Sequence, residues 1–293
     1  MKPESIAEQL LYSTVRLEAL DGSSGTGFFF NFSVNGKRVT ILLTNKHVVN
    51  YDPNATMRFF LHLIDDNGET MEDNYQVEYS TKWIFHPEKD ICFTYVIPLF
   101  VNIKMRTGKN VFFRACDEAM IYGSERLKEL DVAESVSMIG YPTGLWDRLH
   151  NYPIFRHGFT ASHPAYDFNE NGIGLVDMAC FPGSSGSPIF ILDQNGYTNK
   201  KGTHYLGESR MIFLGVLFAG PTMNINGQIT IVDIPTQQHA IAQSQTMINL
   251  GYYIKAYELL KFREIIKNDI DEDERRRSHE QNSHKKLCNL GAE

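Results

Sequence analysis

Five dipeptides along the chain, Asp21-Gly22, Asn35-Gly36, Asn67-Gly68, Asn195-Gly196 and Asn226-Gly227, favour the tight turns that join antiparallel strands. Between such clusters stand short runs of β-branched and aromatic residues: 15–20, 27–32, 38–44, 59–64, 91–96, 135–140, 187–192, 211–218, 228–231 and 251–254. An all-β chain of about ten or more strands follows. No long helical segments alternate with these strands, so antiparallel barrels or sandwiches are expected rather than a parallel α/β sheet.

Helical spacing is confined to the two ends. Pro3 and Glu4 ahead of Ile6, Leu10 and Leu11 predict one short amphipathic helix. Near the other end, residues 256–268 place Leu259, Leu260, Phe262, Ile265 and Ile266 near one face, with charges mostly opposite, and predict a closing amphipathic helix. Residues 269–293 contain DEDERRR and HKK with few apolar residues, and are expected to form a mobile tail, most simply a solvated end.

Composition bears on partners. The 293 residues suffice for one large domain or two small ones. Lys plus Arg number 28 against 35 Asp plus Glu, a net charge of -7, and nucleic acid is not expected as a partner. Glu4 and Glu8 fall where a signal peptide needs its apolar core, and the longest apolar runs, such as 212–219, are far too short to span a membrane. The expectation is a cytoplasmic chain that does not engage a membrane. Cys92, Cys116, Cys180 and Cys288 are far apart, with no C-x-x-C pair, and are expected to be reduced thiols rather than zinc ligands or a disulfide framework.

Three stretches carry chemistry. Phe181-Pro182-Gly183-Ser184-Ser185-Gly186-Ser187-Pro188 lies just before an apolar strand. Acyl transfer needs a nucleophile held beside main-chain N–H groups that receive a developing oxyanion, and glycines permit such a turn. Taken alone, the stretch is equally a surface turn. The strand ending Thr44-Asn45-Lys46-His47-Val48-Val49 brings a histidine, the side chain able to take a proton from a serine near neutral pH. Phe85-His86-Pro87-Glu88-Lys89-Asp90-Ile91 sets a carboxylate immediately before a strand, where it can fix an imidazole tautomer. By themselves, His47 is more often structural and Asp90 a common residue at a strand start.

Taken together, in the order His, Asp, Ser, the chain resembles a trypsin-like serine peptidase of the chymotrypsin fold, closest in style to the bacterial HtrA-like branch without disulfides. The resemblance covers roughly residues 13–256. It rests on T-N-x-H-V-V around His47, D-I around Asp90, I-G-Y-P at 139–142, G-x-S-G-x-P at 183–188 and L-G-V at 214–216. It implies a double six-stranded antiparallel β-barrel with the site between the barrels. On that reading residues 1–12 are an N-terminal helix, 13–115 the first barrel, 116–129 a linker, 130–255 the second barrel and 256–268 the C-terminal helix.

The resemblance also implies roles. Ser185 is the nucleophile, His47 the base and later acid, Asp90 the orienting carboxylate, and the N–H groups of Gly183 and Ser185 the oxyanion hole. Ser184 and Ser187 are rival nucleophiles, but only Ser185 has a glycine two before and one after it. The pocket for the residue preceding the cut bond is expected at 177–181, including Ala179, at Phe218, Ala219 and Gly220, and at 250–252, including Gly251. Ala179 stands where trypsins carry an aspartate, so cleavage after Lys or Arg is not supported and a small or apolar residue is the default. Ser184 replaces the aspartate that pairs with a newly cut N-terminus in zymogens, so any latency is expected to come from loop ordering or an activating protein partner. No metal or organic cofactor is implied, substrates would be proteins or peptides, and a role as an effector in a bacterial defence system is one expectation. The alternative is a catalytically silent pseudoprotease that uses the cleft for binding. With fewer than 40 residues after the last strand, a PDZ domain is not expected. Gly22–Gly27 lacks the Lys-Ser/Thr of a phosphate loop and is read as the approach to the strand preceding His47.

Overall fold

The computed structural model describes residues 3–290 except 66, 69, 170 and 229–240. Helix α1 (Ile6–Leu10) starts at Ser5, whose side chain accepts from the Glu8 N–H while Glu8 reaches back, a reciprocal cap. Nine strands follow in one sheet: β1 (Thr14–Ala19), β2 (Ser24–Val34), β3 (Lys37–Thr44), β4 (Thr56–Ile64), β5 (Thr70–Ser80), β6 (Ile84–Phe85), β7 (Cys92–Tyr95), β8 (Asn110–Phe112) and β9 (Cys116–Asp117). The order is β5-β4-β1-β2-β3-β7-β6, with β8 on β4 and β9 on β2. Helix α2 (Ile97–Thr107) interrupts the strands, and α3 (Ser124–Leu127) lies before the second half.

The second half contains β10 (Ser135–Gly140), β11 (Ile154–Thr160), β12 (Ile173–Asp177), β13 (Pro188–Asp193), β14 (Gly196–Thr198), β15 (His204–Leu206), β16 (Arg210–Ala219), β17 (Thr222–Gln228), β18 (Ile241–Met247) and β19 (Leu250–Lys255). Six of them close a barrel in the order β10-β11-β12-β19-β16-β13, while β14-β15 and β17-β18 form separate hairpins. Helix α4 (Leu260–Leu290) ends the described chain.

Side-chain alternation along β2 explains how the halves join. Phe28, Phe30, Phe32 and Val34 face a shared core with Ile139, Phe190, Phe213, Val216 and Ile254 of the second half and Leu259, Phe262 and Ile266 of the C-terminal segment. Phe29, one residue out of phase, faces the core of the first half with Leu17, Leu42, Phe59 and Trp83. A third core, including Val136, Met138, Ile189 and Leu214, fills the barrel. Each fully buried Phe of the shared core contributes about 1.5–3 kcal/mol, so the two halves are held together by apolar burial.

The expected all-β fold with barrel-like halves is present, its first half a nine-stranded sheet over a core in which the Trp83 ring is stacked on Phe59. Three expectations need correction. The linker expected at 116–129 begins within the sheet, because Cys116–Asp117 pairs parallel with β2. Asn35-Gly36 does turn between β2 and β3, both residues at positive φ, but Asn226-Gly227 lies inside β17, paired with β18. Residues 269–290 are helical, continuing α4. Glu and Arg are good helix formers, Arg276 pairs with Glu272 one turn away, and Asn35, Lys37 and Tyr95 hold Asp271, Glu274 and Asp269. The strand expected at 228–231 lies, beyond Gln228, outside the described residues.

Candidate active site

His47 opens a single 3₁₀ turn, His47–Val49, directly after β3. Its ring Nδ1 lies 2.6 Å from Asp90 Oδ2, and its backbone N–H donates to Asp90 Oδ1 at 3.2 Å. Two contacts from one carboxylate fix both the ring and the chain carrying it. Asp90 is in turn placed from behind: Asn45 Nδ2 donates to its carbonyl at 2.6 Å, and the His86 N–H to the Ile91 carbonyl at 3.0 Å. Both side chains remain partly open, about a third exposed for His47 and a fifth for Asp90. The Asp90 charge, together with burial, raises the Tyr51 phenol above its usual range. Burial above all, and Asp90 next, pushes the Cys92 thiol well up, so that thiol stays protonated.

On the other side, loop 181–187 is held almost wholly by its backbone. The Pro182 carbonyl accepts from the Thr143 N–H at 2.5 Å, the Ser184 carbonyl from Ser187 at 3.0 Å, and the Ser185 carbonyl from Thr26 at 2.8 Å. The Ser184 N–H donates to Phe181 and the Gly186 N–H to Leu217. Among the described residues, the N–H groups of Gly183 and Ser185 have no acceptor. A trans peptide points its N–H opposite to its C=O, so tying the Pro182 and Ser184 carbonyls to protein leaves these two N–H groups directed the other way. Gly183 and Gly186 both have φ near +87°, and a side chain on either would collide with backbone, Tyr141 in one case and Thr26 in the other.

The three serines are placed differently. Ser184 and Ser187 are fully buried and their hydroxyls have no partner, whereas Ser185 is half-exposed. Ser185 Oγ and the His47 ring are brought to the same end of β2. Gly25 packs on Val48, beside His47, while the Thr26 N–H donates to the Ser185 carbonyl. The hydroxyl and the ring are not hydrogen-bonded to one another. Catalytic hydrogen bonds of this kind are often long before substrate binds.

Thr26 was not among the residues singled out by sequence. Its hydroxyl donates to the Gly183 carbonyl at 3.0 Å and accepts from the Tyr141 N–H at 3.1 Å, and its carbonyl accepts from Thr44 Oγ1 at 2.8 Å. One buried threonine therefore connects the β3 end, the I-G-Y-P turn and the serine loop. The readable signal was Gly25-Thr26-Gly27, a polar residue between two small ones at a strand start. Of the expected pocket residues, Ala179, Phe218, Ala219 and Gly220 are half-exposed, with the Phe218 ring tilted against that of Tyr252, their centres 6.3 Å apart. Gly251 is buried, and the position of a side chain there is filled by Cys180, Leu217 and Val176, so its α-carbon faces the barrel interior. Cys92, Cys116 and Cys180 are buried free thiols. No described helix is long and apolar enough to cross a membrane.

Comparison with known proteins finds a matching family. Residues 25–197 match the trypsin-like peptidase domain family. No curated protein matches the chain in sequence. Among solved structures, a serine protease of a human pathogenic astrovirus is 14% identical, covering 83% of this chain and 89% of its own, with a TM-score of 0.37. The HtrA-type protease AlgW, with a decapeptide, is 13% identical over 88% of this chain and 65% of its own, with a TM-score of 0.42. An inactivated protease paralogue of the scabies mite is 12% identical over 88% of this chain and 96% of its own, also with a TM-score of 0.42. The matched segment contains the strand end before His47, the Asp90 loop and the whole serine loop, and spans more than half of the 293 residues; the chain belongs to the trypsin-like peptidase domain family, whose members are serine peptidases of the chymotrypsin fold.

Proposed function

We propose that the protein is a serine endopeptidase that cuts peptide bonds through an acyl-enzyme on Ser185. The observation that carries this reading is the His47–Asp90 contact at 2.6 Å beside a serine loop with two unengaged N–H groups. His47 Nε2 takes the Ser185 hydroxyl proton as Oγ attacks the carbonyl carbon, and then gives it to the leaving amine as the peptide C–N bond breaks. Asp90 keeps the proton of the neutral ring on Nδ1 and stabilises the imidazolium formed in between. The Gly183 and Ser185 N–H groups receive the oxyanion, and each such donor is worth about 10²–10³ in turnover. Water then repeats the sequence on the ester, with His47 as base, and restores the Ser185 hydroxyl.

Substrates in this reading are polypeptides, and three buried free thiols suit a reducing, cytoplasmic setting. An activating protein partner remains part of the proposal: Ser184 has no carboxylate with which to pair a cut N-terminus, and Ser185 and His47, not hydrogen-bonded to one another, leave a closing step for substrate or partner to supply. A role as an effector of a defence system rests on the resemblance alone.

The test is covalent labelling with a fluorophosphonate probe, mapped by mass spectrometry, beside Ser185→Ala. Labelling confined to Ser185, and loss of about 10⁶ in turnover in a folded Ser185→Ala protein, is the expected result. Hydrolysis retained in that variant would overturn it, and a wild-type protein that never labels would favour the silent pseudoprotease.

A further inference from the structure

The outer face of β1, β4 and β5 carries a cleft that the chemistry above does not use. Strand pairing sets Arg16 opposite Phe60, Glu18 opposite Arg58, Arg58 opposite Glu78, and Phe60 opposite Gln76. Residues two apart on a strand share a face, so these side chains form one row. The turn after β10 closes the cleft with Thr143, Gly144, Trp146 and Arg148, and Gly22 and Ser24 complete the rim. The resulting open space is about 620 Å³, within the range of ordinary ligand sites.

Its charge is opposite to that of the chain. Arg16, Arg58 and Arg148 line the cleft against one carboxylate, Glu18, whereas the whole protein carries a net charge of -7. Glu18 is already engaged by Arg16 at 2.5 Å and Arg58 at 2.7 Å, and Arg58 also holds Glu78 at 2.6 Å. Arg16 is stacked between Phe60 and Trp146, 4.6 and 4.2 Å from the ring centres, and buried there, so it is fixed in place. Arg148, exposed and 4.9 Å over Trp146, has no carboxylate partner among the described residues. Its neighbour Asp147 is taken by His150 at 2.7 Å. Arg16 Nε and Trp146 Nε1 are buried donors without acceptors. One orphan acceptor, Asn74 Oδ1, stands at the rim, and its amide can offer N–H as readily as oxygen. A cleft of unpaired donors and one free guanidinium selects ligands rich in carboxylate oxygens.

The position of the cleft gives it a role. The serine loop is held at one end by Leu217, at Gly186, and at the other by Thr143, at Pro182. Phe218, Ala219 and Gly220 lie beyond the first anchor, while Thr143 and Gly144, which pack against Gly183, open onto the cleft at the second. A polypeptide whose residue before the cut bond rests at Phe218–Gly220 runs its following residues into the cleft. We propose that the Arg16–Trp146–Arg148 cleft binds an acidic segment of the polypeptide substrate on the leaving-group side of the cut bond. This rests on the endopeptidase reading for the word substrate, but the binding itself does not.

Binding can be read without catalysis. The chain has two tryptophans, and Trp83 is buried in the first core, so Trp146 is the one whose emission responds to the cleft. The full-length protein is titrated with an amidated tetrapeptide, alanine followed by three acidic residues, and with its lysine counterpart. The expected result is a saturable change in emission with the acidic peptide, none with the lysine peptide, loss of the signal in Trp146→Phe, and at least about tenfold weaker binding in Arg148→Glu. Equal responses to both peptides, or none, would overturn the proposal even where Ser185 labels normally. Acidic binding without labelling would leave the cleft standing and sink the endopeptidase reading. In cleaved peptide mixtures, acidic residues should be enriched within four positions after the bond, and a wild-type profile flat there would remove the leaving-group assignment.

Discussion

His47 and Asp90 reach the site on side chains at the ends of β3 and β7, and their geometry is set by one carboxylate making two contacts. Ser185 reaches it on a loop whose shape is set by backbone hydrogen bonds and two glycines at positive φ. The first arrangement can lose a functional group without losing its fold. The second can lose the Ser185 hydroxyl in the same way but not its backbone geometry, because the carbonyls that hold the loop belong to the peptides that aim the Gly183 and Ser185 N–H groups. Substitutions on the two sides should therefore fail in different ways.

After removal of the Ser185 hydroxyl itself, the largest effect is expected from Asp90→Asn. The amide keeps the shape of the carboxylate, so Asn45 and the β7 strand hold the chain as before, but it can donate to His47 Nδ1 and so stabilise the wrong tautomer. Turnover should fall about 10⁴-fold, roughly 5 kcal/mol in the transition state, with the melting temperature close to that of wild type. Rates measured beside thermal unfolding check both halves of the statement. An unfolded variant, or one within tenfold of wild-type turnover, would show that Asp90 is not an orienting group at all.

Gly186→Ala should show the opposite pattern. The new methyl group meets the Thr26 carbonyl, which cannot move without releasing Thr44 and β2, and the backbone is at φ +86°. Strain of this kind costs on the order of 3 kcal/mol, and the loss should be visible first in denaturant midpoint and only through it in activity. A variant with normal stability and abolished activity would mean that the serine loop is less tied to the fold than its hydrogen bonds indicate.

The same contrast explains what could be read from sequence. Side-chain chemistry is carried by residue type, so His47, Asp90 and Ser185 can be picked out once the three stretches are taken together, in order, with the family they resemble. Backbone arrangements are carried by small, common residues, and Thr26, which joins three segments, has in sequence only the look of a tight Gly-Ser-Thr approach to a strand. Strand runs rich in Phe and Ile were legible because alternation is local. The pairing of Cys116–Asp117 with β2 was not, since a two-residue strand has no period to detect. Residues 269–290 were read as mobile because they bury little, but charged side chains pairing along and across a helix need no apolar face. Asn226-Gly227 has the composition of a turn and sits in a ladder, where tertiary pairing overrides local preference.

The smallest expected effect lies where the two halves are clipped together. His62, on β4, packs edge-on against Tyr12 at 4.8 Å and near Tyr152 at 5.9 Å, and the two tyrosine hydroxyls are 2.9 Å apart. Tyr152 belongs to the second half, bridged to Asp147. Burial, the main cause, lowers the His62 pKa from 6.5 to about 4, only partly offset by a backbone contact at Asn151. Between those two values the unfolded chain binds a proton that the folded chain refuses, so stability falls as pH falls. Above about pH 6.5 the histidine is neutral in both states and costs nothing. Toward pH 4 the cost approaches roughly 3 kcal/mol, since each pKa unit is about 1.4 kcal/mol. His62→Phe keeps the ring and removes the titration. Between pH 7.5 and pH 4.5 the wild type should lose about 2–3 kcal/mol more than this variant in urea unfolding. Equal losses would mean that the proton is accepted in place, and that the clip between the halves opens to water without unfolding either one.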